Sequence, residues 1–190
     1  MLYQVVSFNQ WLYPDDVVGE NSRKKAELWL PRNGFASFQV LLNECPVGEK
    51  ITCSFSGNGR FFSEFYRAVD VNVTMNTGVH GFTADYETAK SYVTRKAPFR
   101  VYDALEPIGD ITANKATEVI YVCYKADACA LPGAFVSQVT ISVGSTQVNV
   151  PVTIRITDTL LPDESLYITN WFSLESMARS HGKPLWSEAH

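Results

Sequence analysis

Gln138-Val139-Thr140-Ile141-Ser142-Val143-Gly144-Ser145-Thr146-Gln147-Val148-Asn149-Val150 is the stretch whose reading decides the fold. Apolar and polar residues alternate up to Gly144-Ser145, and after it the alternation resumes through Val152, Ile154 and Ile156. A period of two belongs to extended strands with one face buried, and a two-residue break at Gly-Ser belongs to a hairpin. With that loop, Val143 pairs with Thr146, Ile141 with Val148 and Val139 with Val150, so one face of the hairpin is uniformly apolar. Pro151 falls on the opposite face and lacks an N–H, which predicts an outer position or a bulge there.

Working outward, similar runs appear at Leu2–Phe8, Ala26–Leu30, Phe35–Leu42, Lys50–Phe55, Tyr66–Thr74, Phe99–Tyr102 and Glu118–Tyr124. Turn-rich pieces separate them: Asn33-Gly34, Pro46-Val47-Gly48, Gly57-Asn58-Gly59 and Leu131-Pro132-Gly133. About eight to nine short strands at this spacing predict a mainly β chain folded as an antiparallel two-sheet β-sandwich, immunoglobulin-like or jelly-roll-like. Glu118–Tyr124 is apolar on both faces and reads as a central strand. Gly78–Lys96 lacks alternation and reads as a long excursion, with room for a short helix at Thr83–Tyr92.

After Leu161-Pro162 the period changes. Leu166–Trp171 reads as a strand, Ser173 as a helix cap, and Leu174, Met177, Ala178 and His181 as one helical face stopped by Gly182 and Pro184. One βα unit needs neighbouring strands, so residues 1–162 read as a sandwich and residues 163–190 as a truncated βα unit of a larger α/β domain.

The remaining composition narrows the function classes. A net charge of −4 in 190 residues, with no basic cluster longer than Arg23-Lys24-Lys25, argues against nucleic acid. No apolar run approaches the roughly 20 residues that span a bilayer, so no membrane partner is expected. Met1 leads directly into a strand, which predicts a cytoplasmic location, or a secreted or cell-surface one where a signal has been removed. Cys45, Cys53, Cys123 and Cys129 lack metal-ligand spacing and are expected as buried thiols. No metal and no cofactor is expected.

Four local patterns resemble the amino-terminal region of glycoside hydrolase family 123 and its relatives, in which a β-sandwich precedes a (β/α)8 barrel. They are Arg32-Asn33-Gly34-Phe35-Ala36-Ser37-Phe38-Gln39-Val40, Asp103-Ala104-Leu105-Glu106-Pro107 in place of an Asp-Pro-Leu-x-Pro turn, Leu131-Pro132-Gly133-Ala134-Phe135, and Leu161-Pro162 followed by Thr169-Asn170-Trp171-Phe172. Ala104 departs from the family's proline, and a glycine before Gln138 is missing. The resemblance covers residues 24 to 190, with Pro184-Leu185-Trp186-Ser187-Glu188 as a further match.

The resemblance implies a β-N-acetylhexosaminidase-like parent. There the sugar's own acetamido oxygen attacks the anomeric carbon while an adjacent Asp-Glu pair orients that amide and protonates the leaving group. Such a pair belongs at the C-terminal rim of a barrel. Asp163-Glu164 lies ahead of the first barrel strand and reads as a solvated connection, so no catalytic residue is assigned within this chain. Trp171 and Trp186 are the candidate substrate-binding residues of the intact parent: either indole can floor a sugar subsite or pack structurally. Trp11, Tyr13 and Trp29 suggest a carbohydrate platform, but core packing is the expectation for them. His80 reads as a loop residue, and Asn72-Val73-Thr74 as a chance glycosylation motif.

The leading expectation is therefore a non-catalytic accessory domain that braces its own carboxy-terminal barrel and shapes one wall of its cleft. The alternatives are an autonomous carbohydrate-binding module and an adhesion or assembly domain using an exposed edge. An interrupted barrel would leave Leu166, Ile168, Trp171, Phe172, Leu174 and Met177 wet, so self-association through residues 163–190 is expected.

Overall fold

The computed structural model describes residues 1–76, 93–163 and 173–187. Nine strands appear among them: β1 (Leu2–Ser7), β2 (Ala26–Arg32), β3 (Phe35–Asn43), β4 (Ile51–Gly57), β5 (Phe61–Val73), β6 (Phe99–Pro107), β7 (Glu118–Ala126), β8 (Gly133–Val143) and β9 (Thr146–Leu160). They form a five-stranded sheet in the order β1-β3-β7-β5-β6 and a four-stranded sheet in the order β2-β9-β8-β4. The central strand of the larger sheet is β7, as its two apolar faces predict.

The hairpin register is the one read from the alternation: Val143 opposes Thr146, Ile141 opposes Val148 and Val139 opposes Val150. Those apolar residues, with Leu28, Leu30 and Ile154, face Val40, Leu42, Ile120 and Val122 of the other sheet across one core. Tyr124 joins the layers. Its ring lies 5.7 and 5.8 Å from those of Phe55 and Phe61, and its hydroxyl is 3.2 Å from Ser137 Oγ on β8. A buried phenol needs such a partner.

Three expectations require correction. The smaller sheet is mixed, because β2 runs parallel to β9 (Ala26 opposite Val152, Ile156 opposite Leu30). Alternation reports which face is buried and says nothing of strand direction. Pro151 is tolerated in the inner strand β9 because the β2 ladder begins one residue later, leaving its nitrogen side unpaired in strand terms. Asp103-Ala104-Leu105-Glu106-Pro107 forms no turn. It continues β6 alongside β5, with Asp103 as the extra residue of a bulge between the pairs Val69–Ala104 and Asp70–Tyr102.

The turn at Asn33-Gly34 carries the chain from one sheet to the other. Asn33 sits at φ 60°, a conformation asparagine tolerates, and a Cβ at Gly34 would lie 2.6 Å from the Pro31 ring. Beyond Pro162, α1 (Leu174–His181) has the predicted ends, with Ser173 Oγ accepting from Ser176 N and Gly182 in the left-handed region. The expected strand Leu166–Trp171, the Thr83–Tyr92 helix and His80 lie outside the described residues, and no barrel is present among those described. No helix among the described residues is long and apolar enough to cross a membrane.

Candidate binding surface

The segment after β1 crosses the outer face of the five-stranded sheet and is tied to it from below. Gln39, nearly buried on β3, donates through Nε2 to the carbonyl oxygens of Ser7 (2.9 Å) and Gln10 (2.8 Å), with a longer approach to Phe8 O (3.4 Å). Leu12 sinks into a second small core with Val6, Leu41, Ala68, Tyr102 and Val119, and its carbonyl accepts from Tyr102 N at 2.9 Å. Between these anchors Phe8 is 59% and Trp11 54% exposed. A backbone fixed at both sides of an exposed indole is a preorganised surface.

Two grooves meet at Phe8. One, about 250 Å³, lies between this segment and β6 and is lined by Asn9, Gln10, Trp11, Asp103, Leu105 and Tyr121 among others. The second, about 420 Å³, opens between β1 and β2 and presents Arg23, Glu27, Trp29 and Phe35. Trp29 is 66% exposed, with the Arg155 guanidinium 5.2 Å from its ring centre. Core packing of Trp11 and Trp29 is thus overturned. Trp29 alternates with the buried Leu28 and Leu30 and so faces outward, whereas Trp11 lies on a non-periodic loop. Tyr13 is half-buried, under the Arg95 guanidinium. The amide-rich Asn9-Gln10 beside Trp11 was the available signal that this indole is not a core residue.

Of the tryptophans implied by the family resemblance, Trp171 lies outside the described residues. Trp186 is 78% exposed in a turn beyond α1, at φ 62°, and lines neither groove. Asp163 is exposed and accepts from Asn33 Nδ2 at 2.8 Å. The same amide nitrogen donates to Leu161 O (3.1 Å), and Leu161 N donates to Arg32 O (3.0 Å). The β2–β3 turn therefore holds the chain where it leaves β9.

The most buried carboxylates belong to a charge network at the other end of the outer face. Asp70 is paired with both Arg100 and Lys115, and Arg67 with Glu106. Burial raises the Asp70 pKa, but hydrogen bonds from Lys115 and Arg100 outweigh it and hold the carboxyl below its ordinary value. Glu118 accepts from the backbone N–H of Asn114 (2.6 Å) and Lys115 (3.2 Å), yet burial pushes its pKa up. The space between these groups is about 30 Å³, room for a water molecule and not for a sugar ring. Each of the two grooves that meet at Phe8 holds a single carboxylate, Asp103 or Glu27, whereas an open groove of about 340 Å³ beside Leu2 is lined by Asp15, Asp16 and Glu44, with Asp15 paired to Arg95. Glycoside hydrolysis by a carboxylate pair needs two, about 5–10 Å apart.

All four cysteines are thiols. Cys45 is buried, Cys53 and Cys123 half-buried, and Cys129 exposed, which corrects the expectation of four buried thiols. Burial pushes Cys45 to about 11 and Cys53 to about 12, so both stay protonated and unreactive at neutral pH.

No family model matches this sequence, and no curated protein matches it either. The fold has a solved counterpart. It is a family 123 glycoside hydrolase from Clostridium perfringens, an enzyme of glycolipid glycan hydrolysis, with a TM-score of 0.64 and 10% sequence identity. The match covers 84% of this chain and 28% of that one. At this identity the likeness is one of fold.

Proposed function

We propose that this chain is the non-catalytic amino-terminal β-sandwich domain of a glycoside hydrolase with a β-N-acetylhexosaminidase-like activity, bracing the catalytic barrel and shaping part of its substrate cleft. The observation that carries the reading is the fold likeness: nearly the whole chain matches little more than a quarter of a family 123 enzyme. In this reading residues 1–162 are the sandwich, of immunoglobulin-like or jelly-roll-like type, residues 163–190 begin the barrel, and the Asp-Glu pair lies beyond residue 190. Trp171, near the end of the first barrel strand, and Trp186, in the loop after its helix, are then candidates for sugar subsites. The clamp of Asn33 on Leu161 and Asp163 supports a bracing role, since it sets the direction in which the chain leaves the sandwich.

The purified chain should hydrolyse no aryl N-acetylhexosaminide above background, because in this reading the acid and the amide-orienting carboxylate belong to the barrel and not to residues 1–190. Turnover that survives repurification and disappears on substituting a residue within this chain would overturn the assignment.

A further inference from the structure

We propose that the groove between the 8–11 segment and β6 is a binding site for a neutral sugar ring, with the Trp11 indole as its stacking face and Asn9, Gln10 and Asp103 as its hydrogen-bonding edge. A pyranose presents one C–H face and a rim of hydroxyls. Its site needs an exposed aromatic plane beside uncommitted donors and acceptors. Trp11 supplies the plane and Leu105, 47% exposed, extends the apolar floor. Gln10 and Asp103 are exposed and make no side-chain hydrogen bond or ion pair among the described residues, while Asn9 commits only Oδ1, to Ser7 Oγ at 2.7 Å. Together they offer amide N–H donors and carboxylate and amide acceptors, the mixture that hydroxyl groups use.

The lining argues against other occupants. It holds no lysine or arginine and one carboxylate, so a phosphate or other anion is disfavoured. At about 250 Å³ the groove lies just below the ~300 Å³ at which small-molecule clefts begin, and suits one ring with the rest of a glycan outside. An apolar helix would need a longer and less polar trough. The site is also built in advance: Gln39 holds the carbonyls of Ser7 and Gln10, and buried Leu12 fixes the next residue after Trp11. Binding need not first order the loop. This site stands apart from the accessory-domain reading, since a sugar can bind here whether or not a catalytic barrel follows.

The test is a titration of the 15N-labelled chain with N-acetylgalactosamine, N-acetylglucosamine, lactose and maltotriose, up to tens of millimolar, followed by amide and indole shifts. The expected result is saturable movement of the Trp11 indole and the Asn9 and Gln10 side-chain amides with at least one of these sugars. Trp11→Ala should weaken binding about tenfold or more, the scale of one aromatic contact, with an unchanged thermal midpoint because the side chain is exposed. Asp103→Ala should weaken it too, and Trp29→Ala should leave it intact. Three outcomes overturn the proposal: no saturable shift with any of the four sugars, loss of binding in Trp29→Ala but not in Trp11→Ala, or shifts at Trp11 that follow protein concentration without sugar, which would mean a second copy fills the groove.

Discussion

Replacing Gln39 by Leu would test how the Trp11 segment is held in place. Leucine fills nearly the same space, so the change removes hydrogen bonds without opening a cavity. Two bonds are lost, to Ser7 O at 2.9 Å and Gln10 O at 2.8 Å, and the approach to Phe8 O at 3.4 Å is too long to count fully. At about 1 kcal/mol net each the ceiling is ~2 kcal/mol, and because the released carbonyls lie on an exposed segment and can rehydrate, a loss of ~1–2 kcal/mol is expected. Urea denaturation should show a lower midpoint with an unchanged slope. Hydrogen exchange should separate the local from the global effect. The Gln10 amide, bonded to Ser7 O at 3.2 Å, should exchange faster than global unfolding allows, while Tyr102 N, bonded to Leu12 O, stays protected. An unchanged midpoint together with unchanged exchange at Gln10 would refute the staple, and a loss above about 4 kcal/mol would place Gln39 in the main core instead.

The hairpin register predicts that Ile141→Ala costs about 2–5 kcal/mol, since Ile141 is fully buried and three carbon groups at ~0.8 kcal/mol each give about 2.4 before any cavity is counted. Thr140→Ala, on the other face beside Asn149, should stay within about 0.5 kcal/mol, and equal losses in urea melts would refute the facing of the strand. The charge network predicts opposite pH responses. Asp70 has a lowered folded pKa, so its stabilisation is present above the ordinary 3.8 and lost as pH falls through the lower folded value. Asp70→Asn should therefore cost about 1–2 kcal/mol at neutral pH, the partly exposed Arg100 and Lys115 being free to rehydrate, with the deficit shrinking in acid. Glu118 has a raised folded pKa, so its contribution is present below the ordinary 4.5 and lost as pH rises through the raised value. Glu118→Gln should accordingly gain on the parent chain as pH rises across that window, and parallel stability–pH curves for the two variants would contradict both assignments.

The sequence by itself determined where most strands lie and which faces they bury, the register of the β8–β9 hairpin and both ends of α1, because each follows from local periodicity, turn chemistry and capping. It also identified β7 as central, since a strand apolar on both faces needs cover on both. It missed the first five residues of β5, from Phe61, and the last five of β6, to Pro107. Tertiary structure decided the rest. That β2 lies parallel to β9, that Asp103 bulges out of β6, and that Asn33 reaches across to Leu161 and Asp163 depend on residues far apart in the chain meeting at one edge. The candidate surface shows the division most plainly. An aromatic count cannot tell Tyr124, which is wholly buried between the sheets, from Trp11, which is held outward by Gln39 and Leu12. Aromatic residues carry enough apolar area to be drawn inward wherever space exists, and only the packed sheets determine where no space remains.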